Sequence, residues 1–98
     1  MPEPMAKAVA TVRVDNERVR VTEWRFAPGA HTGHHRHDYA YVVVPLTTGT
    51  LASRNKDGET TAQLTAGAPY YRDAGVEHDV INATPAEFVF VEIEIKGA

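Results

Sequence analysis

Four of the five histidines fall within seven residues, in His31-Thr32-Gly33-His34-His35-Arg36-His37, and the fifth, His78, follows about forty residues later. Imidazole suits divalent zinc, iron, nickel and copper, binding through one ring nitrogen while the other seeks an acceptor. On an extended strand, residues i and i+2 share a face about 6.6 Å apart. His35 and His37 can therefore lean onto one ion, with His34 facing the other way. Taken alone, such a pair also reads as a solvated strand face, and His31 and His34 read as surface histidines. A metal site needs a third ligand, which antiparallel pairing of the strand around His78 would bring opposite the first two. The chain has no cysteine, so a metal must be held by nitrogen and oxygen.

The elements that must position these side chains belong to a chain of 98 residues, enough for one domain over residues 1–98 and one modest core. Apolar residues make up 43 % and charged residues 23 %, with a formal net charge of −3, values that favour a folded protein over a disordered one. Ten basic residues are scattered among thirteen acidic ones with no Lys/Arg run, which argues against a nucleic-acid partner. Residues 1–7 are expected to be loosely ordered. Met1-Pro2-Glu3-Pro4-Met5 lacks the basic start and apolar run of a secretory signal. No apolar stretch approaches the ~20 residues of a membrane span. A cytoplasmic protein with no membrane partner is the expectation.

Short runs rich in Val, Ile, Thr, Tyr, Trp and Phe recur between turn residues, and no segment carries an amphipathic helical stripe, so the spacing predicts an almost all-β fold. Strands are expected at 9–14, 19–26, 34–37, 41–46, 50–55, 59–64, 70–72, 78–82 and 87–95. Lys56-Asp57-Gly58 marks a hairpin. Pro45 suggests that its strand is an edge or carries a bulge. In the last strand Phe88, Phe90, Glu92 and Glu94 share one face and Val89, Val91, Ile93 and Ile95 the other. Periodicity alone does not say which face looks inward.

Turns and histidines together resemble a cupin with a single conserved barrel. The first cupin motif runs Gly, five residues, His-x-His, then a Glu and a closing Gly; here Gly29 precedes His35-Arg36-His37 at that spacing and Gly49 closes the segment. The second is met by Gly67, five residues, Asp73-Ala74-Gly75, two residues, His78, three residues, Asn82, with Asp73 in place of a proline. The resemblance implies a cupin-type double-stranded β-helix, or jelly-roll barrel, with His35, His37 and His78 as metal ligands. It also implies a homodimer. Asn82, in the closing position, is expected to fix a turn.

Where the family places a glutamate ligand, this chain has Tyr41 or, at the longer spacing, Val42. Three neutral imidazoles leave the ion its full charge. One divalent transition metal (zinc, iron, nickel or copper) with open positions for a small anionic, carboxylate-like ligand is the resulting expectation. Tyr41 is a candidate proton donor, Arg72 could grip a carboxylate, and Glu92 is a candidate acceptor for a ligand imidazole. Two functions fit: a metal-binding module without catalysis, or a metal-dependent dioxygenase, isomerase or hydrolase acting on a small organic acid.

Overall fold

The computed structural model describes residues 6–97. Residues 1–5 of the segment expected to be loosely ordered lie outside the described residues. Ala6 and Lys7 are tied to His31, whose backbone N–H donates to the Ala6 carbonyl at 2.9 Å, while Lys7 forms a bridge to the same residue.

Among the described residues nine strands follow in order: β1 (Val9–Asp15), β2 (Val19–Phe26), β3 (His35–Arg36), β4 (Ala40–Pro45), β5 (Gly49–Asn55), β6 (Gly58–Leu64), β7 (Tyr70–Arg72), β8 (Glu77–Asn82) and β9 (Phe88–Ile95). They form two sheets, one ordered β1-β2-β9-β4-β7 and the other β3-β8-β5-β6. Every strand pairing is antiparallel. Among the described residues no helix is long and apolar enough to cross a membrane.

Strand β9 lies between β2 and β4 and settles the question its own periodicity left open. Phe88, Phe90, Glu92 and Glu94 are all buried and look into the barrel. Phe26 and Phe88 are wholly buried, and with Phe90, Tyr41, Val43, Leu51, Leu64 and Val80 they make the core. Each large apolar side chain removed from water contributes on the order of 1.5–3 kcal/mol. The rings of Phe26 and Phe90 meet at 5.5 Å. Asn82, also buried, acts as the expected turn clamp: its amide donates to the carbonyls of Ala86, Ala27 and Phe26, and its oxygen accepts the N–H of Thr84.

Pro45 lies in neither an edge strand nor a bulge. Strand β4 is interior, and Pro45 ends it opposite Phe90. Its other neighbour, β7, pairs only with Tyr41, Val42 and Val43. The side on which proline lacks an N–H has no strand left to bond by that point.

Candidate metal centre

Strands β3 and β8 pair so that His35 stands directly opposite His78. His37 lies one residue past β3, which ends at Arg36, and its ring reaches the same point as that of His35. Two backbone hydrogen bonds hold it there: the His37 N–H donates to the Val76 carbonyl at 2.9 Å, and the Gly75 N–H donates to the His37 carbonyl at 2.7 Å. Gly75 holds φ at 97°, a conformation that L side chains rarely adopt. The turn of the second motif thus grips the first motif's second histidine.

The three rings meet nearly edge to face, and their nitrogens converge. Nε2 of His37 lies 3.0 Å from Nε2 of His35 and 3.2 Å from Nε2 of His78. Three nitrogens each ~2.0–2.1 Å from one tetrahedral ion would be about 3.3 Å apart, close to this spacing.

The opposite ring nitrogens fix which atoms carry lone pairs. His35 Nδ1 lies 2.8 Å from the Gly33 carbonyl, which can only accept, so Nδ1 bears the proton and Nε2 the lone pair. The Thr32 hydroxyl, 3.2 Å away, is a second neighbour of Nδ1. His78 Nδ1 meets the Ser53 hydroxyl at 3.0 Å. His37 packs its ring on Tyr41, centroids 3.9 Å apart and planes 20° from parallel. A single proton on His37 cannot serve two neighbouring nitrogens at once. A cation between the three nitrogens suits all of them, and the donor set therefore fits a divalent transition metal.

Behind the site, the carboxylate of Asp79 receives the Gly33 N–H at 3.0 Å and meets His31 Nδ1 at 3.0 Å. This clamp sets the loop whose carbonyl orients His35. His31 is therefore a half-buried structural partner and departs from the surface role expected of it, whereas His34 is exposed.

Burial is the first cause that depresses both His37 and His78 to about 4, and the neighbouring His35 charge adds to it. Both are neutral at neutral pH, the form that binds metal. Tyr41 is buried, and its phenol is raised well above the ordinary range, mainly by burial and then by the charge of Glu92. It holds its proton firmly in the metal-free chain.

The histidines form one wall of a cavity of about 240 Å³. The five-stranded sheet supplies the facing wall, with Trp24, Tyr41, Tyr70, Arg72 and Glu92. The Arg72 guanidinium lies 4.7 Å over the Tyr70 ring. Glu92 is not an acceptor for a ligand imidazole, as the sequence suggested; those places belong to Gly33 and Ser53. Its carboxyl is pushed up to about 7, first by burial and then by Glu94. Ser53 and Thr32 carry no sequence signal of their own, since a hydroxyl in a strand-rich chain is commonplace. The volume is below the ~300–1,000 Å³ of pockets for drug-sized ligands, so any occupant is small.

Comparison with known proteins agrees with this architecture. The sequence pattern of the cupin domain family matches residues 22–94. The β-alanine degradation protein BauB of Pseudomonas aeruginosa is 63 % identical over 90 residues, covering 92 % of this chain and 95 % of that one. A crystal structure of a cupin domain from Bordetella pertussis Tohama I superposes with a TM-score of 0.95 at 57 % identity, covering 98 % of this chain and all of that one. The polyketide cyclase RemF of Streptomyces resistomycificus shares the fold at a TM-score of 0.71 with 16 % identity, over 95 % of this chain and 70 % of its own. With the histidines of both motifs brought together by the pairing of neighbouring strands in a jelly roll and the family pattern running through most of its length, the chain belongs to the cupin domain family.

Proposed function

We propose that this protein binds one divalent transition metal through Nε2 of His35, His37 and His78 and presents it to a small anionic ligand in the cavity. The observation that carries the reading is the meeting of three imidazole nitrogens at 3.0 and 3.2 Å, with the His35 lone pair directed inward by the Gly33 carbonyl. With no protein carboxylate among these ligands, the ion keeps its full charge and open positions, and it would supply Lewis acidity to whatever binds there. Arg72 adds a second positive charge on the facing wall. A small carboxylate suits both.

The name of the Pseudomonas aeruginosa relative connects that protein with β-alanine degradation, and we take a small organic acid as the ligand class here too. A metal-dependent enzyme acting on such an acid is the second reading, favoured by Glu92, a cavity carboxyl poised near neutrality. Elemental analysis of protein purified without a nickel column tests the first. Wild type should carry close to one metal per chain, and His35→Ala and His78→Ala should lose it. Metal retained in both variants removes the site. Turnover of a candidate acid by the loaded protein, lost in the same variants, would establish the enzyme.

We also propose that two copies associate through β1. Val9 and Val12 are 60 % and 55 % exposed although their strand opposes Arg25 and Thr22 on two different faces. An edge strand with bare valines on both faces calls for cover.

A further inference from the structure

The inner face of β9 carries two buried glutamates with different surroundings. Glu94 is gripped by Arg20 through Nε and Nη2, at 2.7 and 2.9 Å. Glu92 is 8 % exposed and has no such fork around it. The indole N–H of Trp24 lies close enough to favour the charged form of Glu92 without completing a hydrogen bond. That indole nitrogen is itself buried and reaches no partner at proper hydrogen-bonding geometry. Trp24 pairs with Phe90 and Thr22 with Glu92, so the indole and the carboxyl are diagonal neighbours on β2 and β9. Both line the cavity, on the wall opposite the histidines. The charges that act on His37 and His78 come from other histidines, Arg72, Asp38 and Asp79, while Glu92 acts on Tyr41 and Tyr70. Trp24 and Glu92 thus belong to the five-stranded sheet, while His35 and His78 belong to the four-stranded one.

A buried donor and a buried carboxyl without well-formed bonds are costly unless something completes them. Indole only donates, whereas a carboxyl accepts when ionised and donates when protonated. A hydroxyl oxygen satisfies both by accepting from Trp24 and giving its proton to Glu92. A carbonyl oxygen accepts from Trp24 and from protonated Glu92. An ammonium group has no lone pair for the indole and would meet its N–H head on.

We infer that Trp24 and Glu92 form an oxygen-recognising subsite, which selects small organic acids bearing a hydroxyl or carbonyl oxygen at the end away from the histidines. This rests on the reading of the three-histidine centre as the anchor for the acid's carboxylate.

The test pairs acetate, propionate and butyrate with glycolate, 3-hydroxypropionate and 4-hydroxybutyrate, each titrated calorimetrically into metal-loaded protein. Trp24 is the one tryptophan of the chain, so its emission reports on the subsite independently. For one chain length the hydroxy acid should bind at least about tenfold more tightly than its parent and shift that emission. Glu92→Leu and Trp24→Phe should each bring the ratio of hydroxy acid to parent acid to about one; should one variant not fold, the other decides. Equal affinities within every pair, a ratio kept in the variants, or an equal gain for the matching amino acid overturns the subsite. The His78→Ala variant separates the two readings: loss of all acid binding supports the anchor, and discrimination that survives there overturns the anchor while leaving the subsite. Failure of wild type to bind any of the acids overturns both.

Discussion

His37 lies almost flat on Tyr41, their ring centroids 3.9 Å apart and their planes 20° from parallel. The tyrosine is one of the two residues, with Val42, that stand where the cupin pattern puts a glutamate, and it braces a histidine with a ring face.

Replacing that ring should therefore act on packing before it acts on charge. Tyr41→Phe keeps the stack and should change stability by less than about 1 kcal/mol. Tyr41→Ala leaves a buried void and should cost about 3–5 kcal/mol, with weaker metal retention because His37 loses its support. Urea denaturation and metal content of the two variants measure this.

The loop clamp behind His35 offers a subtler test. Asp79→Ala frees the Gly33 N–H and His31 together, so the Gly33 carbonyl no longer holds His35 in place. Removal of such a supporting group typically weakens metal binding about 10–100-fold, and chelator competition should show a loss of that order with the fold intact. Ser53→Ala, which removes the partner of His78 Nδ1, should behave likewise. An unchanged affinity in both would mean that the outer partners do not orient the rings.

Acid titration of metal-free protein should reveal two opposed slopes. His37 and His78 are depressed from 6.5 to about 4, so between those values the unfolded chain binds more protons. Their contribution to stability is complete above about 6.5 and is lost as pH falls toward 4. Glu92 is raised from 4.5 to about 7, so over that interval the folded chain binds the extra proton, and stability falls as pH rises. Glu92→Gln should leave stability unchanged near pH 4 and raise it at pH 8 by up to roughly 3 kcal/mol. Denaturation curves at the two pH values decide it.

Association through β1 should make the protein a dimer in sedimentation at micromolar concentration. Val12→Lys places a charge on that strand's bare face and should shift the population to monomer without loss of metal. A wild-type monomer at these concentrations would end the proposal.

Alternation of Val, Ile, Thr and aromatic residues made all nine strands of the described residues readable to within a residue of their ends, because a sheet half-buried on each face imposes a period of two on any sequence that forms it. The spacing from Gly67 to Asn82 identified His78 as readily, since positive φ at Gly67 and Gly75 and the Asn82 clamp are local demands written in residue type. Other features depend on partners distant in sequence. Only pairing of β9 with β2 and β4 turned Phe88, Phe90, Glu92 and Glu94 inward, because either face of an isolated strand can be the buried one. His37 enters the site by bonds to Gly75 and Val76, His31 is drawn in by Asp79, and Glu92 faces the cavity instead of an imidazole. The residue types that can hold a metal were set by the sequence; which atoms converge, and what faces them across the cavity, was decided by contacts between strands that the chain brings together only when it closes.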